Sequence, residues 1–135
     1  MKTRIKYILP SVLVMIFFTV NSCKENNSAG NNSMTVSMTD FIAAYDAGKV
    51  HVLDVRTPGE YAEGHVPGAR LVPLNEVESG AAVPFEKSST IYVICRSGKR
   101  SLKAASYLRS RDYSQAVSVD GGTMAWIQSG KPVEK

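Results

Sequence analysis

Two cysteines, two histidines and one tryptophan are all that this 135-residue chain holds of those residue types. So few cysteines exclude metal sites of the multi-cysteine kind. His51 lies inside an apolar run with no second candidate ligand nearby, so it reads as structural, and no metal or cofactor is expected. Long apolar runs are missing too. The stretch Val12 to Val20, broken only by Thr19, falls short of the roughly 20 residues that a transmembrane helix needs. Nor is there a strong overall charge: the formal +4 includes Lys2, Arg4 and Lys6, and without them 13 basic residues face 12 acidic ones. That balance gives no reason to expect a nucleic-acid partner. Acidic residues are absent from Arg96 to Arg111, where Arg96, Lys99, Arg100, Lys103, Arg109 and Arg111 are all basic.

The basic start and the apolar stretch after Pro10 make residues 1–22 a signal peptide. Its end, Val20-Asn21-Ser22-Cys23, resembles the lipobox of bacterial lipoproteins, with Asn21 the unusual residue. The resemblance implies cleavage before Cys23 and a lipid on that cysteine. The expected location is the bacterial cell envelope, lipid-anchored and facing the periplasm or the cell surface. Residues 23–34, rich in Asn and Ser, then form a flexible polar tether that keeps the domain close to the membrane. A lipidated Cys23 leaves Cys95 as a lone thiol, with no disulfide available within the mature chain.

Residues 35–135 suffice for one compact core. Ser37 to Asp40 has a Ser-x-x-Asp helix start, followed by Phe41, Ile42, Ala44 and Tyr45 on one face and a stop at Gly48. Val50 to Val55 reads as a strand. Thr57-Pro58-Gly59-Glu60 opens a short helix, with Thr57 as cap and Glu60 at the capping-box position. Gly64 to Ala69 is a turn, in which His65 sits between glycines and braces the backbone, leading to a short strand near Arg70 to Val72. One short helix and a loop with Pro84 fill Asn75 to Lys87. The strand Ile91 to Ile94, a helix from Ser101, a strand Ala116 to Val119, the turn Asp120-Gly121-Gly122 and a last helix around Trp126 complete the domain. The alternation predicts an α/β fold with a central, mainly parallel sheet flanked by helices on both faces.

Cys95 ends one of those strands, where ligands bind in such folds. It opens the segment Cys95-Arg96-Ser97-Gly98-Lys99-Arg100-Ser101. A short loop there can wrap its N–H groups around the sulfur while the next helix points its positive end at the same place. Helix N-termini and nearby cations lower a cysteine pKa from about 8.5 into a range of roughly 3.5 to 7.5, so Cys95 is the candidate nucleophile. Arg96 and Arg100 are placed to bind an anion through paired hydrogen bonds, Lys99 adds positive field, and N–H groups from Ser97, Gly98 and on to Ser101 cradle the sulfur.

Four segments in register resemble the rhodanese family: Asp54-Val55-Arg56, Glu60-Tyr61 with Gly64-His65-Val66-Pro67-Gly68-Ala69, the Cys95 loop, and Gly121-Gly122 with Trp126. The resemblance spans Ser37 to about Gly130. It implies a single rhodanese-like domain that moves a sulfane sulfur through a cysteine persulfide. The six-residue loop, Cys95 to Arg100, has the length of the family's sulfurtransferases, whereas related phosphatases and arsenate reductases carry one residue more. Asp54, Arg56, Glu60, His65 and Gly68 belong to the family pattern, and their types suggest scaffold. Trp126 is expected to anchor the last helix.

The expected partners are therefore a small anionic sulfur donor such as thiosulfate and a cyanide or thiol acceptor, besides the membrane through Cys23. Two rivals stay open at this stage. One is a non-catalytic rhodanese-like binding or sulfur-carrier module. The other is redox work through a mixed disulfide, which the lack of a resolving cysteine counts against.

Overall fold

The computed structural model describes residues 33–48 and 50–135. The expectations for residues 1–22, for Cys23 and for most of the tether lie outside them. Five parallel strands form one sheet in the order β1-β5-β4-β2-β3, with β1 at Thr35–Val36, β2 at His51–Asp54, β3 at Arg70–Leu71, β4 at Ile91–Ile94 and β5 at Ala116–Val119. Five helices connect them: α1 (Met38–Asp46), α2 (Pro58–Glu63), α3 (Leu74–Glu78), α4 (Lys99–Ser110) and α5 (Gly122–Gln128).

The central strands are buried on both faces, as parallel strands covered by helices must be. Alternate residues divide between two cores. Leu53, Ile91, Val93 and Ala116 face one way, with Val77 of α3 and Ala104, Ala105 and Leu108 of α4. Val52, Ile94 and Val119 face the other, with Phe41 of α1 and Trp126 of α5. Trp126 is fully buried, its ring centroid 4.9 Å from that of Tyr45 and 5.6 Å from that of Phe41, and its indole N–H donates to the Pro132 carbonyl at 2.8 Å. His51 is exposed on β2, with its ring against Phe85.

The expected helix starts are present at α1 and α2. The Asp40 N–H donates to Ser37 Oγ at 3.1 Å. At α2 the box is reciprocal: the Glu60 N–H donates to Thr57 Oγ1 and the Thr57 N–H to Glu60 Oε2. Three boundaries differ from expectation. β1 is an additional strand, two residues long and therefore without a period to read, whose Met34 and Val36 carbonyls accept from the Ser118 and Asp120 N–H groups of the edge of β5. The helix after the cysteine loop begins at Lys99 and not at Ser101, because Gly98 in the left-handed region (φ 101°) turns the chain two residues sooner. Likewise α5 begins at Gly122, behind the left-handed Gly121.

Candidate active site

β4 ends one residue before Cys95, so the sheet delivers this side chain to the carboxyl edge, between α4 and α5. The residue is buried, and Sγ accepts the Gly98 N–H at 3.1 Å. Burial pushes the thiol pKa up. Hydrogen bonds from the Ser101 hydroxyl and from the N–H groups of Ser101, Ser97 and Gly98 outweigh it, so the pKa lies below that of an ordinary cysteine. Five residues after Arg96, Ser101 lies on the buried face of α4, under the sulfur. Its Oγ is 3.0 Å from the Gly98 carbonyl oxygen and 2.7 Å from Ser118 Oγ.

The loop is clamped from behind. The Thr123 N–H donates to the Cys95 carbonyl at 2.8 Å, its hydroxyl donates to the same oxygen at 3.2 Å, and the Met124 N–H donates to the Arg96 carbonyl at 3.2 Å. Gly122 makes this approach possible: it has φ +58°, and a Cβ there would overlap the Cys95 carbonyl oxygen and lie 2.6 Å from the Arg96 carbonyl carbon.

The two carboxylates expected to act as scaffold serve different turns. Asp54 is fully buried and takes the Arg56 guanidinium through Nε and Nη2, at 2.7 Å for the shortest contact, while Nη2 also donates to the Gly64 carbonyl. Glu60 does not join that pair. Its carboxylate closes the α2 capping box and accepts Arg100 Nη1 at 2.8 Å and Nη2 at 2.6 Å. The Arg100 fork holds the Glu60 carboxyl down to about 2, despite partial burial that works the other way. Arg100, expected to face an anion, has its guanidinium engaged by the carboxylate of Glu60, 40 positions earlier in the chain. The charge count of the loop gives no sign of that partner.

Arg96 and Lys99 are exposed and, among the described residues, make no side-chain hydrogen bond or ion pair. Ser97 is exposed at the tip of the loop. Beside Arg96 opens a cleft of about 370 Å³, walled by Arg56, Glu60 and Thr123 and rimmed by Met124, Ile127 and Val133. His65 follows α2, two residues after its end. Its ring stacks on Tyr61 and its Nδ1, facing the Tyr61 carbonyl at 3.0 Å, carries a proton and donates it, while its backbone bridges to Glu134. The Gly68 N–H donates to the Glu134 carboxylate at 3.1 Å. Among the described residues, no group of three or more His, Cys, Asp or Glu side chains converges as a metal site.

Two contributors carried no signal that was read from the sequence. Ser118 is a hydroxyl within an apolar strand. The doubled glycine reads as a turn, and the close approach of Gly122 to the Cys95 and Arg96 carbonyls is visible only in the structure.

A family model for the rhodanese-like domain matches residues 37–129. A sulfurtransferase of Allochromatium vinosum is 35% identical over 89 residues, 65% of this chain and 81% of that protein. The chloroplastic thiosulfate sulfurtransferase 16 of Arabidopsis thaliana is 32% identical over 122 residues, 82% of this chain and 98% of that protein. Two mycobacterial relatives are longer, and the chain spans 22% of their length. Among solved structures, the human single-domain sulfurtransferase TSTD1 superposes with a TM-score of 0.65 at 28% identity, covering 71% of this chain and 96% of that one.

Proposed function

The chain belongs to the rhodanese-like domain family, and from that membership we propose that it is a sulfurtransferase working through a persulfide on Cys95. The Cys95 thiolate attacks the outer sulfur of thiosulfate or a similar anionic donor. A sulfur–sulfur bond forms to Sγ, the donor's own sulfur–sulfur bond breaks, and the electron pair leaves with sulfite. Arg96 and Lys99, the unpaired cations of the loop, stabilise the incoming and departing anion. Cyanide or a thiolate then attacks the outer sulfur of the persulfide, and Cys95 departs as the thiolate that its N–H donors hold. Two half-reactions on one sulfur give ping-pong kinetics.

The observation that carries this reading is the sulfur itself: Sγ of a buried cysteine receives the Gly98 N–H at 3.1 Å in a six-residue basic loop. The test is the intact mass of the purified protein before and after thiosulfate, with Cys95→Ser alongside. The expected result is a gain of one sulfur, about 32 Da, that cyanide removes and the variant never shows. A gain retained by Cys95→Ser would sink the mechanism.

A second reading, a sulfur-carrier or binding module, draws on the Arg100–Glu60 fork, which leaves a dianion fewer free cations. It gains if a low-molecular-weight persulfide loads Cys95 and thiosulfate does not. The proposal also places the domain at the bacterial envelope, tethered through a lipid on Cys23. The signal-like start of the chain and the lipobox-like Val20 to Cys23 support that placement. Radiolabelled palmitate incorporated by the natural sequence and not by Cys23→Ala is the expected outcome.

A further inference from the structure

Beneath the loop, two buried hydroxyls meet where the packing asks for neither. Ser118 lies in β5, two residues after Ala116, on the face that packs against α4. It is 1% exposed, Ser101 is fully buried, and their oxygens are 2.7 Å apart. A buried hydroxyl costs stability unless it is hydrogen-bonded, so an apolar residue at 118 would fill the strand at less cost.

The direction of that hydrogen bond follows from the neighbouring acceptor. The Gly98 carbonyl oxygen is 3.0 Å from Ser101 Oγ and 3.4 Å from Ser118 Oγ. If Ser101 donated to Ser118, the Ser118 proton would be left with the longer contact and the Ser101 proton would point away from the loop. If Ser118 donates to Ser101, the Ser101 proton makes the shorter contact and stays on the side of the loop. The Gly98 carbonyl does not depend on it, because the Leu102 N–H donates there at 3.0 Å in either case. We propose that Ser118 is a positioning residue for Cys95: by donating to Ser101 Oγ it keeps the Ser101 hydroxyl a donor toward the cysteine loop, at Gly98, whose N–H holds Sγ.

The inference rests on Cys95 being the nucleophile but needs no particular sulfur donor. It agrees with the Ser101 hydroxyl being among the groups that draw the Cys95 thiol down against the effect of burial. Chained hydroxyls polarise one another, so a donor behind Ser101 strengthens the bond that Ser101 gives. The charged groups around the sulfur are Arg96, Lys99 and Arg100 from the loop and α4, Asp54 and Arg56 at the end of β2, Glu60 from α2 and Asp120 after β5. α5 contributes no titratable side chain. Replacing Ser118 alters none of these.

The test is the pH dependence of Cys95 alkylation by iodoacetamide in the purified protein. It is read as the mass of the peptide that contains Cys95, so that Cys23 does not contribute. Ser118→Val and Ser118→Thr have the same shape and suit a strand, and differ in the hydroxyl alone. Ser118→Ala adds a replacement that crowds nothing. The midpoint should rise by about half a pH unit in the Val and Ala variants and stay with the natural protein in the Thr variant. Packing damage would change stability or the plateau rate and would leave Val and Thr alike. Coincident midpoints for Val and Thr, or an unmoved midpoint in Ser118→Ala, overturn the proposal. Alkylation needs the thiolate and no donor, so a shifted midpoint without sulfur loading by any donor would count against sulfur transfer and leave the role of Ser118 standing.

Discussion

Helices α1 and α2 begin differently from α4 and α5. Ser37 and Thr57 cap the first two with their own hydroxyls, so a free N–H at each of those ends, that of Asp40 and that of Glu60, finds its acceptor three residues away in sequence. Gly98 and Gly121, both left-handed, precede the other two, and neither end has a side-chain cap. Their donors go elsewhere. The Gly98 N–H turns to the cysteine sulfur, and the N–H groups of Thr123 and Met124 hold the carbonyls of Cys95 and Arg96. One open end therefore holds the sulfur, and the other holds the backbone that carries it. At α1 and α2 a start closed on itself is scaffold, and at α4 and α5, though not at the uncapped α3, a start left open is where the chemistry is assembled.

The strongest way to break this contrast is at the second open end. Gly122→Ala places a methyl against the Cys95 carbonyl oxygen and within 2.6 Å of the Arg96 carbonyl, in a left-handed conformation that alanine disfavours. The expected loss is about 3 kcal/mol in urea denaturation, from left-handed strain and overpacking together. Sulfur loading should fail even in the fraction that stays folded. Near-natural stability with normal loading would mean that α5 does not hold the loop.

Glu60 is where the two kinds of end meet, since one carboxylate closes the α2 box and forks Arg100 beside the open end of α4. Glu60→Gln should cost about 1 kcal/mol, a charge-assisted pair discounted for its partial exposure. The sign of the pH dependence follows from the depressed carboxyl, about 2 against an ordinary 4.5. The contribution of the pair is complete above pH 4.5 and is lost as pH falls through 2. The natural protein should therefore lose more stability than Glu60→Gln between those values, and parallel acid titrations would show that the pair contributes nothing.

The same contrast marks how far the sequence could be read. Closed ends are legible because the cap and its partner are three residues apart, as in Ser37 with Asp40 and Thr57 with Glu60. Cys95 was legible as well, since an apolar strand running into a basic glycine-containing loop is also local. What could not be read joins distant segments. Arg100 looked like a free cation because Glu60 stands 40 positions earlier. Ser118 reads only as one residue of the strand Ala116 to Val119, because its partner Ser101 stands 17 positions earlier, on α4. Strand β1 had two residues and no pattern, and takes its form from the edge of β5.

The smallest effect expected is the most discriminating. Thr57→Ala removes the hydroxyl that accepts the Glu60 N–H at 3.3 Å and donates to Glu60 Oε2 at 3.1 Å, while the Thr57 backbone N–H keeps its bond to Glu60 Oε2. Half of the capping box survives, so the cost should fall near the low end for a lost cap, about 0.5–1 kcal/mol. Glu60 still has its two contacts to Arg100, and nothing within hydrogen-bond reach of the Cys95 sulfur changes. The alkylation midpoint of Cys95 should therefore stay where it is while thermal stability drops. If the midpoint moved as well, Glu60 would be carrying the state of the α2 cap to the sulfur through Arg100, and the closed end would belong to the active site.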